Sequence, residues 1–250
     1  MNNLPTHRAI PGTYGQCVTG ELGDGTTFEA WFTNQAIGTF ATGTNLEELN
    51  ARRALIASAP WTWLRQVHGA DVVLVQRAGE NAGVDADAAV VNVIDAPIAV
   101  GTADCAPVLL WHPDGPVAVV HAGWRGAVAG VLPCAVQRLL AQTTGGVPDE
   151  ICAVVGPCIA PESYQFGVSD LGIIEREFGD SVIGETTDGD AALDLRAAVC
   201  RSLNQAGVND IQHIVADTAG ADQEYFSHRA RRDEGRQVLV AWKQNSTVAT

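Results

Sequence analysis

Hydrophobic positions in this chain bunch into short, valine-rich runs: FEAWFT (28–33), DVVLVQ (71–76), AAVVNV (88–93), PIAVGTADCAPVLLWH (97–112), VAVVHA (117–122), ICAVVG (151–156), IQHIVA (211–216) and QVLVAW (237–242). Their shortness and β-branched content predict strands. HPDGP between two of them is a tight-turn signature, so 105–121 is expected to form a hairpin.

Helical spacing is rarer. NLEELNARRALIAS (45–58) opens on Asn45 as a side-chain cap, and VSDLGIIEREFG (168–179) is a shorter candidate. LDLRAAVCRSLNQAG (193–207) sets Leu195, Val199, Leu203 and Ala206 on one face and ends at Gly207. GAVAGVLPCAVQRLLAQT (126–143) reads as one helix that Pro133 either kinks or starts. The order is neither strict βαβ nor runs of one kind. It predicts an α/β fold of the mixed α+β kind, with layered mixed sheets flanked by helices. A single domain over 1–250 is expected, with frayed ends such as QNSTVAT.

Composition narrows the partners. With 46% hydrophobic residues but no apolar run of about 18, the chain is not expected to enter a membrane. MNNLPTHRAIPGTYG has no charged leader followed by an apolar core, so no secretory signal and a cytoplasmic protein are expected. A net charge of −14 repels nucleic acid. A small anion can still bind where arginines converge, as in SHRARRDEGRQ with Arg229, Arg231, Arg232 and Arg236, although a solvated basic loop explains that cluster equally well. The sequence is silent on assembly, and a monomer is the default expectation.

The six cysteines read as thiols rather than a disulfide frame. Packing accounts for Cys134, Cys152 and Cys200; Cys105 and Cys158 differ, because each lies beside turn residues at a strand end.

Three segments carry candidate chemistry: RQVHGADV (65–72), GTADCAPV (101–108) and VVHAGWRG (119–126). Each places a metal-binding side chain, His68, Cys105 or His121, at a strand edge beside small residues. Two imidazoles and a thiolate suit zinc and leave a fourth position open. Their spacing matches no short metal motif, and on spacing alone core histidines and a packed cysteine are favoured.

Together with VVGPCIAPESYQFG (154–167) and YFSHRARRDEGRQVLVAW (225–242), these segments resemble the multicopper polyphenol oxidase (laccase) family. That family also contains purine nucleoside phosphorylases with adenosine deaminase activity and the peptidoglycan editing factor. The resemblance runs from about Gly38 to Lys243, with five motifs in the family's order. It implies that His68, Cys105 and His121 bind zinc, and it implies the layered α/β fold. The chain departs from the family at FTNQAIGTF, at Tyr164-Gln165, at VADTAG and at Ser227-His228-Arg229-Ala230, so only Arg229 and Arg236 carry over from the last arginine loop.

Copper laccase chemistry is disfavoured: the chain has six histidines, none paired as H-x-H, and its only methionine is Met1. The resemblance points instead to purine nucleosides and phosphate as small-molecule partners. Deamination needs a proton-moving group, for which Asp104 and Asp87 are candidates, strand-end aspartates being the alternative. Phosphorolysis needs an anion grip, expected from Arg125 just before a helix, with Arg229 or Arg236 completing it. Trp124 either stacks on a base or is buried. A Cys105–His121 thiol hydrolase or amidase, and a non-catalytic cell-wall editing module, are the other readings.

Overall fold

A computed structural model describes residues 6–9, 14–220 and 223–246. Two six-stranded sheets dominate it. The first contains β1 (Thr6–Ala9), β2 (Gly15–Glu21), β3 (Thr26–Thr33), β4 (Thr62–Trp63), β7 (Ile98–Thr102) and β14 (Gln237–Asn245), in the order β1-β2-β3-β14-β7-β4. The second contains β5 (Val72–Val75), β6 (Ala88–Val91), β8 (Ala106–Trp111), β9 (Val117–Ala122), β10 (Cys152–Val155) and β13 (Asp210–His213), in the order β13-β10-β8-β9-β6-β5. Both are mixed: β4 runs parallel to β7, β5 to β6 and β10 to β13, and the other pairs are antiparallel. β11 (Ile183–Glu185) and β12 (Ala191–Leu193) form a small separate ribbon.

Side-chain alternation explains the layering. Along β8, Ala106, Val108 and Leu110 join one core while Leu109 and Trp111 join another. β9 divides in the same way, with Val120 and Ala122 against Val117 and Val119. The second of these cores also holds Phe28, Phe32, Ile98, Val100 and Leu239, so it is the seam between the two sheets. Strands buried on both faces read as continuous apolar runs, which is why these stretches looked uniformly hydrophobic.

The outer face of the second sheet is covered by α2 (Trp124–Ala129), α3 (Val131–Leu140), α4 (Val168–Phe178) and α5 (Leu195–Gln205). The outer face of the first carries α1 (Leu46–Ile56), with Leu49, Trp61, Val238 and Trp242 packed together. A short α6 (His228–Arg231) completes the set.

Most predicted elements are present. The Asn45 side chain caps α1 by accepting from the Glu47 and Glu48 amides. Gly207, at φ +87°, ends α5 with Val208 N–H donating to Leu203 O and its own N–H to Asn204 O. The β8–β9 hairpin turns through His112–Pro116 as expected.

Some expectations are corrected. The single helix over 126–143 is two helices that meet at Gly130, in the left-handed conformation at φ 88°. Pro133 falls in the first turn of α3, where its missing N–H costs nothing. The run 97–112 is two strands in different sheets. Gln244 and Asn245, expected to fray, end β14; the last residues of that tail, 247–250, and the first five residues lie outside those described. Cys134 is exposed on the outer side of α3 rather than packed.

Candidate metal centre and cavity

The break between β7 and β8 builds the site. Within Ala103, Asp104 and Cys105 the chain leaves one sheet and enters the other. Asp104 takes φ 95°, a conformation that L residues avoid. It is held there from several sides. Its carboxylate accepts from Thr218 Oγ1 at 2.8 Å and from the Arg229 amide at 2.6 Å, and its carbonyl accepts from the Ile159 amide at 2.9 Å. This clamp turns the Cys105 sulfur toward the histidines.

Asp87, immediately before β6, performs a matching task. It is fully buried, and its carboxylate accepts from the backbone amides of Val67 (3.2 Å), His68 (3.0 Å) and Gly69 (2.7 Å). Those converging donors hold His68 at φ 57°. The same carboxylate lies 2.7 Å from Nδ1 of His121, at the end of β9. Nδ1 therefore carries the donated proton, and Nε2 is the nitrogen free to ligate.

His68, Cys105 and His121 thus converge, with one ligand atom from each within 4.8 Å of the others. Cys105 Sγ is 3.8 Å from His68 Nε2, close to the roughly 3.5 Å kept by two donors on a tetrahedral zinc. Gly123 closes one side. A Cβ there would come within 2.8 Å of the His68 ring and 2.9 Å of the Cys105 sulfur. Burial by itself would push the Cys105 thiol up, yet His121 and His68 bring its pKa down to about 6. Burial pulls His121 down, but the Cys105 and Asp87 charges outweigh it and raise its pKa to about 9. The donor set, its closeness and a sulfur inclined to ionise fit a divalent metal of the zinc type.

The centre opens into a cavity of about 1160 Å³. Asp104, Trp124, Arg125, Arg229 and Arg236 all border it, together with Tyr164. Arg125 is exposed, and its guanidinium lies over the Trp124 ring at 4.3 Å from the centroid. It sits inside the first turn of α2 rather than ahead of it. Trp124 is half-buried, meets Phe166 at 5.6 Å in a T-shaped contact and carries Arg125 over one face of its ring. Arg229 stands over Tyr164 at 4.7 Å and donates to the Gln165 carbonyl at 2.9 Å. Nη1 of Arg236 donates to the carbonyls of Asp233, Glu234 and Gly235, its own loop. The Gln165 side chain turns to Asp190, at 3.0 Å.

One expected role is corrected. Asp87, a proton-mover candidate, is closed off from the cavity by the amides and imidazole it binds, so it cannot touch a substrate. Sequence reasoning also missed Arg53, Trp61, Trp63 and Tyr164 as cavity residues. Tyr164 lies within VVGPCIAPESYQFG (154–167); the other three carry no local signal.

Comparison with known proteins identifies the family and the fold. A protein named purine nucleoside phosphorylase from Xylella fastidiosa (strain 9a5c) is 36% identical over 189 residues, covering 72% of this chain and 71% of the relative. Another of that name, from Streptomyces coelicolor, is 37% identical over 201 residues, covering 78% and 80%. The crystal structure of the hypothetical protein YfiH of Bacillus licheniformis shares the fold, with a TM-score of 0.77 at 22% identity over 94% of this chain and 98% of the other. YlmD from Geobacillus stearothermophilus gives 0.75 at 23% identity over 98% and 97%. Residues 41–244 match the family described as multi-copper polyphenol oxidoreductase laccase, and the chain belongs to that family.

Proposed function

We propose that this chain is a purine nucleoside phosphorylase that holds zinc at His68, Cys105 and His121 and also deaminates adenosine. The observation that carries the reading is the convergence of those three donors at a cavity that also presents Arg125, whose side chain makes no hydrogen bond with any described residue. The relatives named purine nucleoside phosphorylase support the substrate class. When bound, zinc supplies a Lewis acid and activates water at neutral pH.

The chain's own groups divide the remaining work. Asp87 orients His121 and keeps its Nδ1 protonated. Asp104 is the proposed proton carrier: it borders the cavity, and each of its oxygens keeps a lone pair after accepting one hydrogen bond. Arg125 grips phosphate with a planar fork, and the neighbouring Arg229 and Arg236 add positive charge. Phosphate oxygen then attacks C1′ as the bond to the base breaks. Cys105, Cys134, Cys152, Cys158 and Cys200 are free thiols, in keeping with a reducing, cytoplasmic setting.

The test is incubation of the purified protein with adenosine, with and without phosphate. Adenine formed only with phosphate marks phosphorolysis, and inosine formed without it marks deamination. If neither appears, and Cys105→Ala leaves the zinc content unchanged, the proposal fails.

The low pKa of Cys105 favours one competing reading, a thiol hydrolase with His121 as base. A zinc-bound thiolate is not a free nucleophile. Stoichiometric zinc that protects Cys105 from alkylation removes that reading.

A further inference from the structure

Phe40, Arg53, Trp61 and Trp63 form another wall of the same cavity. Arg53 lies in the last turn of α1, and its guanidinium sits over both indoles, 5.8 Å from the Trp61 ring centroid and 5.9 Å from that of Trp63. Trp61 is itself fixed: Nε1 donates to the Ala57 carbonyl at 2.9 Å, and the ring stacks on Phe40 at 5.8 Å. The guanidinium plane is therefore pre-positioned by aromatic contacts on rigid elements.

What the guanidinium lacks is an acceptor. The Arg53 side chain makes no hydrogen bond or ion pair with any described residue, and its Nε is buried without a partner. Its neighbour Arg52 shows the ordinary alternative, pairing with Glu48 at 3.0 Å and donating to the Thr39 carbonyl at 2.9 Å. In a chain with 29 acidic residues against 15 basic ones, a half-buried arginine with no carboxylate among the described residues keeps only its two aromatic contacts against the cost of a desolvated, unpaired donor. Thr102 Oγ1, also on the cavity wall, is buried and unpartnered as well. Three such side-chain atoms occur among the described residues, and two of them belong to this one cavity, which points to a ligand rather than to chance.

We propose that Arg53 is a further recognition residue, additional to Arg125, for a phosphate-type oxyanion, either inorganic phosphate or the phosphoryl group of a purine nucleotide. A cavity of about 1160 Å³ exceeds the roughly 300–1,000 Å³ of ordinary small-molecule sites and admits a ligand longer than a nucleoside. The purine part of this assignment rests on the function proposed above; the anion part does not.

The experiment measures binding without turnover, so it stands apart from the activity assay. Calorimetric titrations of adenosine, adenosine 5′-monophosphate and inorganic phosphate are compared for the wild type and Arg53→Gln. The expected result is a loss of about tenfold or more for one phosphate-bearing ligand, with adenosine affinity unchanged. Loss for the nucleotide identifies a phosphoryl subsite, and loss for phosphate alone identifies the free ion. A single cooperative unfolding transition of Arg53→Gln in anion-free buffer establishes that the variant is folded. Should that variant fail to fold, Arg53→Met, which fills a similar volume without charge, repeats the comparison. Unchanged affinities for both anions, or a wild type that binds neither, would overturn the proposal, whatever the turnover assay shows.

Discussion

Asp87 and His121 are joined twice across neighbouring strands. The His121 amide donates to the Asp87 carbonyl at 2.7 Å, and its Nδ1 lies 2.7 Å from the Asp87 carboxylate. A backbone contact thus fixes where the imidazole begins, and a side-chain contact fixes which nitrogen it offers.

The first prediction follows from that pair. Asp87→Ala removes the orienting carboxylate and strands three amides, so zinc affinity should fall about 10- to 100-fold. Stability should fall by about 2 kcal/mol or more, because buried donors lose their acceptor. Competitive chelator titration and denaturant unfolding measure the two effects separately.

Gly123→Ala should separate metal binding from folding. The backbone there, at φ −78° and ψ 163°, accepts alanine, but the new methyl would press on Cys105 and His68. We expect a melting temperature within a few degrees of wild type, with zinc per chain clearly below stoichiometric by elemental analysis.

Arg125→Ala should weaken phosphate use while leaving the metal in place. Loss of a charge-assisted grip predicts a rise of about tenfold or more in the phosphate KM. An unchanged KM would remove Arg125 from the phosphate site.

Lys243 provides the pH prediction. The chain's single lysine is buried, and its Nζ donates to Asp24 at 2.7 Å and to Asn92 Oδ1 at 2.8 Å. Burial pushes the Asp24 carboxyl up, but the Lys243 and Thr26 hydrogen bonds outweigh it and hold its pKa below the usual 3.8. A carboxylate whose pKa is lower in the folded state adds stability above its unfolded pKa and loses it as pH falls through the folded value. The stability gap between wild type and Asp24→Asn should therefore be full at neutral pH and shrink below about pH 4. Urea unfolding across that range checks the sign. A gap that widens in acid would contradict it.

Individual elements show why part of the molecule was legible. β8, β9 and β10 were readable because strands buried on both faces must be apolar throughout. α1, α4 and α5 were readable because a helix on a sheet needs one apolar face and a defined start or stop. β4, at two residues, and the β11–β12 ribbon are too short to leave a period.

The metal triad was visible only through motif resemblance, since 37 and 16 residues separate its members and no local rule links them. Arg53 was invisible altogether: ARR in a helix is ordinary, and only the fold leaves one of those arginines without an acid.

By itself the sequence determined layered sheets with flanking helices, an acidic surface, and three strand-edge residues able to bind metal. These properties reside in local periodicity and side-chain chemistry, which the chain carries before it folds. The tertiary structure alone decided that β7 and β8 enter different sheets at Asp104, that Asp87 aims His121 instead of meeting substrate, and that Arg53 faces a cavity without a hydrogen-bond partner among the described residues. Each of these depends on contacts between residues distant in the chain, and such contacts leave no periodic trace.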